Sequence, residues 1–214
     1  MSHTRFTRER FETVWLELGL VAPADLFDAL RARYAEPHRA YHTAQHIEEC
    51  LASLDLVRAQ CDSAPAVELA LWFHDAIYDT REPDNEQRSA DWAAQQLEAA
   101  GAPQVVIATV RELILTTRHA AIPAGGDAQT LTDIDLAILG ASSERFLEYE
   151  AQVRREYSWV PDLVFRRERA RLLRAFVSRA SIYATPFFRE TLEAAARRNL
   201  AASIALLGHA APTE

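Results

Sequence analysis

Residues 67–79 read VELALWFHDAIYD, and the first seven of them decide the fold. VELALWF is apolar nearly all round, and its length suits a buried strand or a buried helix. Its Ala, Leu and Glu content, with a single β-branched residue, favours the helix. A helix apolar on every side must be surrounded by other elements. His74-Asp75 comes immediately after, inside the apolar run. An imidazole and a carboxylate there are costly unless something compensates them, and a divalent cation does so best.

Outward from this stretch the helical period recurs. Phe11, Val14, Trp15 and Leu18 form a stripe that Gly19 stops, and Pro23 stands where a first turn can open before Leu26, Phe27 and Leu30. Ile47, Cys50, Leu51, Leu54 and Val57 place one face of a 43–60 helix on a core. Asp84 is the expected N-cap of a helix through Trp92 and Leu97 to Gly101, and Pro103 starts one carrying Val106, Val110, Leu113 and Ile114. AAIPAGGDAQT (120–130) reads as a long loop. Phe146, Tyr149, Val153 and Tyr157 mark a further helix; Leu172, Leu173, Phe176 and Val177 mark the next. Pro186 precedes a terminal helix toward Gly208. The expectation is an all-α, single-domain helical bundle over 1–214.

Composition narrows the partners. With 214 residues and 49% hydrophobic content the chain can bury one sizeable core. A net charge of -8 opposes attraction to nucleic acid polymers or anionic membranes, although a local arginine cluster can still grip a phosphate; all 23 basic residues are arginine. No helix carries a dense basic stripe, which disfavours a DNA-binding role. Cys50 and Cys61 have neither metal-type spacing nor a disulfide framework, so they are expected as small buried apolar residues in a reducing, cytoplasmic compartment. MSHTRFTRERF lacks an apolar signal core, and no stretch approaches the roughly 20 apolar residues that span a bilayer. These features predict a soluble protein with no membrane partner; a monomer and a homodimer are both compatible with them.

Several polar residues are candidates for chemistry, each with a plain structural alternative. His42 and His46 are four apart, so on a helix they share a face. His74 and Asp75 can flank one ion, or serve as a hydrogen-bonded core imidazole and a helix-end carboxylate. Asp133 and Asp135 point about 200° apart on a helix, so only one reaches a shared ion; the structural alternative is that one caps a helix starting near Leu136 while the other is solvated. Arg39 offers a guanidinium fork for phosphate or a surface salt bridge. Asp79 and Glu86 can orient a water or a metal-bound histidine. His119 can approach the cavity or sit favourably at a helix C-terminus.

Together these residues carry a resemblance. The order of a histidine, then His-Asp, then an aspartate resembles the HD-domain superfamily of metal-dependent phosphohydrolases. RAYHTAQHI, LWFHDAIYD, NEQRSA, DIDLAILG, VRREYSWVP and ARRNL look more narrowly like a bacterial subfamily of predicted HD phosphohydrolases. These motifs run from about Arg39 to Leu200. The resemblance implies a metal-site core over about 39–140, C-terminal helices over about 142–208 packing on it, and His46, His74, Asp75 and Asp135 as metal ligands. The Tyr-His-x-x-x-His arrangement is also similar to that of cyclic-nucleotide phosphodiesterases, which implies His42 as proton donor to the leaving oxygen. Asp79 and Glu86 would assist catalysis, and Arg39 and His119 would face substrate, His119 also offering a second metal position.

The implied cofactor is one divalent ion, with a second conceivable; nitrogen and oxygen donors suit Mn, Fe, Co or Ni and admit Mg less comfortably. Such an ion lowers the pKa of water and offsets charge developing at phosphorus. The expected function is hydrolysis of a phosphoester in a small phosphorylated compound, such as a nucleotide. The alternative is a non-catalytic, metal- or nucleotide-binding regulatory module.

Overall fold

The VELALWF stretch lies in a helix whose residues from Ala66 to Phe73 are all buried. In the computed structural model, which describes residues 4–119 and 123–208, seven helices belong to a first compact unit ending at Asp135. They are α1 (Arg8–Glu17), α2 (Leu26–Arg33), α3 (Ala44–Val57), α4 (Ala64–Phe73), α5 (Asn85–Ala99), α6 (Gln104–Thr116) and α7 (Gly126–Asp135). α4 packs against α1, α3, α5, α6 and α7. An all-round apolar helix is stable only in such a setting, and Trp72 and Phe73 at its end are fully buried. The described residues contain no strand, so the all-α class holds.

Polar contacts tie the surrounding helices to this axis. Glu68, the one charged group of α4, is buried and accepts from Arg10 Nε of α1 at 2.7 Å and from Arg58 just after α3. A buried carboxylate needs such partners. Phe6, Phe11 and Phe27 close on the Trp72 indole with ring centroids 4.9, 5.3 and 6.2 Å away.

One expectation fails inside the 120–130 segment. GDAQT is helical, because α7 begins at Gly126. Asp127 accepts from the Asp62 and Ser63 backbone N–H groups, both at 2.7 Å, and so satisfies orphan donors at the start of α4. Gly126 has φ +61, and a Cβ there would meet Asp62 Oδ2 at 3.2 Å, so the residue that reads as a loop signal serves a close approach. Residues 120–122 of the segment lie outside the described residues.

The second compact unit begins at Leu136. A 3₁₀ turn (Leu136–Gly140) leads to α8 (Ser143–Glu156), α9 (Asp162–Val177) and α10 (Pro186–Gly208). α10 packs on α9 and on the turn, where Tyr183 Oη donates to Leu136 O at 3.1 Å and Asn199 Nδ2 donates to Leu139 O at 2.9 Å. Leu136 thus opens a 3₁₀ turn and not an aspartate-capped α-helix: Asp133 and Asp135 both lie within α7, at its C-terminal end. No described helix is long and apolar enough to cross a membrane.

Candidate metal centre

Three elements of the first unit bring the site together. α3 supplies His46 from its first turn, the end of α4 supplies His74 as C-cap with Asp75 next to it, and the last residue of α7 is Asp135. His46 and His74 are buried. His46 Nε2 lies 3.1 Å from His74 Nε2, 3.4 Å from Asp75 Oδ2 and 3.2 Å from Asp135 Oδ1. His74 Nε2 lies 3.0 Å from Asp75 Oδ2 and 3.5 Å from Asp135 Oδ1. Donors each about 2.1 Å from one ion, at tetrahedral or octahedral angles, stand roughly 3.0–3.4 Å apart.

The tautomer of His74 agrees with a ligand role. Its Nδ1–H donates to Leu71 O at 2.9 Å, so in the neutral ring Nε2 carries the lone pair, aimed at the cluster. Asp135 is held similarly: while Oδ1 faces the imidazoles, Oδ2 accepts from His119 Nε2 at 2.9 Å. His119 has φ +52, a left-handed conformation that a non-glycine residue adopts at some cost.

Cys50, one turn beyond His46 on α3, enters the same neighbourhood. His46, Cys50, His74 and Asp135 each offer one donor atom, all within 4.8 Å of one another, and could hold a metal ion. The Cys50 sulfur lies 3.7 Å from both Nδ1 and Nε2 of His46. A sulfur at 3.7 Å and a carboxylate oxygen at 3.4 Å from Nε2 both stand where a second donor to an ion on Nε2 would, so Cys50 and Asp75 are alternative partners of His46, His74 and Asp135. The four-residue step from His46 to Cys50 was the available sequence signal, and reading Cys50 as simple packing passed over it.

Charge matches this geometry. Burial opposes protonation of His74, but Asp75 and Asp135 outweigh it and raise the imidazole well above its usual range. Burial opposes it at His46 too, and is overcome by the Cys50 sulfur, the Tyr41 oxygen and the two carboxylates. Burial would push Asp75 and Asp135 up; instead His74, His42 and His46 hold Asp75 well below the carboxylate range, and His119, His46 and His74 do so for Asp135. The cluster is thus a buried, acceptor-rich pocket that attracts positive charge.

The remaining candidates fall in different places. His42 does not share a helix with His46, because Thr43 is extended and caps α3 through its side chain. Its imidazole instead stacks on Tyr78, half-buried beside the cluster, with its ring centroid 5.9 Å from that of His46. Arg39 is no surface arginine: its side chain is 0% exposed. It donates to the carbonyls of His42 at 3.0 Å, Asp75 at 2.7 Å and Ala76 at 3.1 Å, and through Nε to Glu36 at 3.0 Å. The guanidinium clamps the His42 segment to the His74-Asp75 corner. Asp79 is exposed and its Oδ1 accepts from Arg81 N at 2.9 Å within a turn. Glu86 is half-buried in the first turn of α5. Asp133 is buried and lies outside this donor set, so Asp135 is the aspartate that reaches the imidazoles.

No family model, no curated protein and no solved structure matches the chain.

Proposed function

We propose that this protein is a metal-dependent phosphohydrolase acting on a small phosphorylated compound, with His46, His74, Asp75 and Asp135 as the ligands of one divalent ion. The observation that carries the reading is the pair of facing imidazole Nε2 atoms 3.1 Å apart, each 3.0–3.5 Å from an oxygen of Asp75 and of Asp135, with a half-buried imidazole next to them. A divalent ion in such a site polarises a phosphoryl oxygen and lowers the pKa of water.

The chain's own groups do the rest. Leu71 O fixes the His74 tautomer, and His119 keeps one oxygen of Asp135 engaged so that the other faces the imidazoles. Arg39 holds the backbone of His42 to that of Asp75. In this reading His42 protonates the departing oxygen. Mixed nitrogen and oxygen donors favour Mn, Fe, Co or Ni over Mg. The resemblance of the motif order to that of HD-domain phosphohydrolases is the sequence ground for the same reading.

The test is metal analysis of the purified protein, then a screen of phosphomonoesters and phosphodiesters with Mn, Co, Ni or Mg. Hydrolysis that His42→Ala abolishes while metal content persists is the expected result. Metal binding with no turnover on any ester would mean a regulatory binding module instead.

A further inference from the structure

Tyr34, Arg39, Tyr78 and His42 form one contiguous column beside the cluster. The Arg39 guanidinium carbon lies 5.3 Å from the Tyr34 ring centroid and 5.4 Å from that of Tyr78. The Tyr78 ring stacks on the His42 imidazole, with centroids 4.1 Å apart and 29° between planes. Tyr41 meets the same imidazole edge-on at 4.9 Å and 81°.

The column is anchored along its length. Tyr34 Oη donates to Trp72 O at 2.9 Å, at the end of α4. His38 Nε2–H donates to Tyr78 O at 2.8 Å, and Arg39 holds His42 O at 3.0 Å. His42 precedes the cap of α3, so no helix orients it. An imidazole on such a segment swings about two torsions, whereas proton transfer to a defined oxygen needs one orientation.

We infer that Tyr78 is a positioning residue, which fixes the His42 imidazole beside the metal corner for proton delivery to the leaving oxygen. The inference rests on the hydrolase reading. In the step it serves, a water oxygen bonds to phosphorus and releases a proton to solvent. The bond from phosphorus to the leaving oxygen breaks, its electron pair stays on that oxygen, and the oxygen takes the proton of His42. The role falls to the aromatic face at position 78, which phenylalanine also presents.

Two probes of unequal leaving-group quality test this on the full-length, metal-loaded protein: phenyl phosphate and p-nitrophenyl phosphate. An acid matters more for the poorer leaving group. Tyr78→Leu should lower kcat on phenyl phosphate by about 10- to 100-fold, with a much smaller loss on p-nitrophenyl phosphate and unchanged metal content. Tyr78→Phe should stay close to wild type on both. Equal losses on the two esters, or a Tyr78→Phe variant as impaired as Tyr78→Leu, would overturn the inference. Proton NMR reads the stack independently of turnover and of the Leu variant's catalytic competence. The His42 ring protons, assigned by their disappearance in His42→Ala, should be shielded in wild type and Tyr78→Phe and move downfield in Tyr78→Leu. If wild type cleaves no phosphomonoester or phosphodiester of the screen, the hydrolase reading falls. Absence of shielding in wild type or Tyr78→Phe overturns the column whether or not the protein hydrolyses anything.

Discussion

The Nε2 atoms of His46 and His74 face each other across 3.1 Å. With His74 protonated on Nδ1 toward Leu71 O, its Nε2 lone pair points at the neighbouring ring, and two carboxylate oxygens point the same way. Acceptors converge on one point only when a cation or a proton sits among them. A proton and a divalent ion would therefore compete for the same place.

That competition gives a pH signature. In protein stripped of divalent ions, His46 and His74 have pKa values raised above the ordinary imidazole value. The folded chain then holds more protons than the unfolded one, so their stabilisation is full below about pH 6.5 and is lost as pH rises through the folded values. Asp75 and Asp135, with lowered values, contribute stability that is present above about pH 4 and lost as pH falls through theirs. Thermal unfolding of the stripped protein should show a decline on both sides. Added Mn or Co should remove the alkaline decline.

Cys50 separates two donor sets. The proposed ligand set takes Asp75 Oδ2 and leaves the Cys50 sulfur out, so Cys50→Ala should keep its bound ion, as measured by elemental analysis after gel filtration. Loss of the ion in that variant would put the thiolate in the donor set in place of Asp75.

Arg39 makes a claim about architecture. Its removal leaves three backbone carbonyls and Glu36 without a buried partner, so Arg39→Ala should lower unfolding free energy by about 3 kcal/mol in urea titrations. Arg39→Lys should restore little, since a single ammonium cannot span the same acceptors.

Asp127→Ala tests the docking of α7 on the start of α4. Two N–H groups lose their acceptor, and a loss of about 1–2 kcal/mol is expected, in the range of a helix cap. A smaller change would mean that water replaces the carboxylate at no cost.

The helices were largely legible because their apolar period is strong, and the buried axis was legible because VELALWF has no polar face to turn outward apart from Glu68. What the sequence hid was tertiary. GDAQT carries loop residues, yet Gly126 and Asp127 fit a close approach to α4 that no local pattern announces. His42 and His46 have helical spacing, but the Thr43 cap between them starts the helix too late to include His42. Arg39 reads as a surface cation because its acceptors, the carbonyls of Asp75 and Ala76, lie far along the chain. The choice between Asp133 and Asp135 turned on which face of α7 meets α3 and α4, and periodicity alone could not decide it.

The most direct test of the metal centre is calorimetric titration of Mn or Co into the stripped protein, with elemental analysis of the same samples. One ion per chain in wild type, and none in His74→Ala or Asp75→Ala variants that remain helical by circular dichroism, is the predicted result. A wild-type chain that takes up no divalent ion, or an Asp75→Ala chain that binds as tightly as wild type, would contradict it.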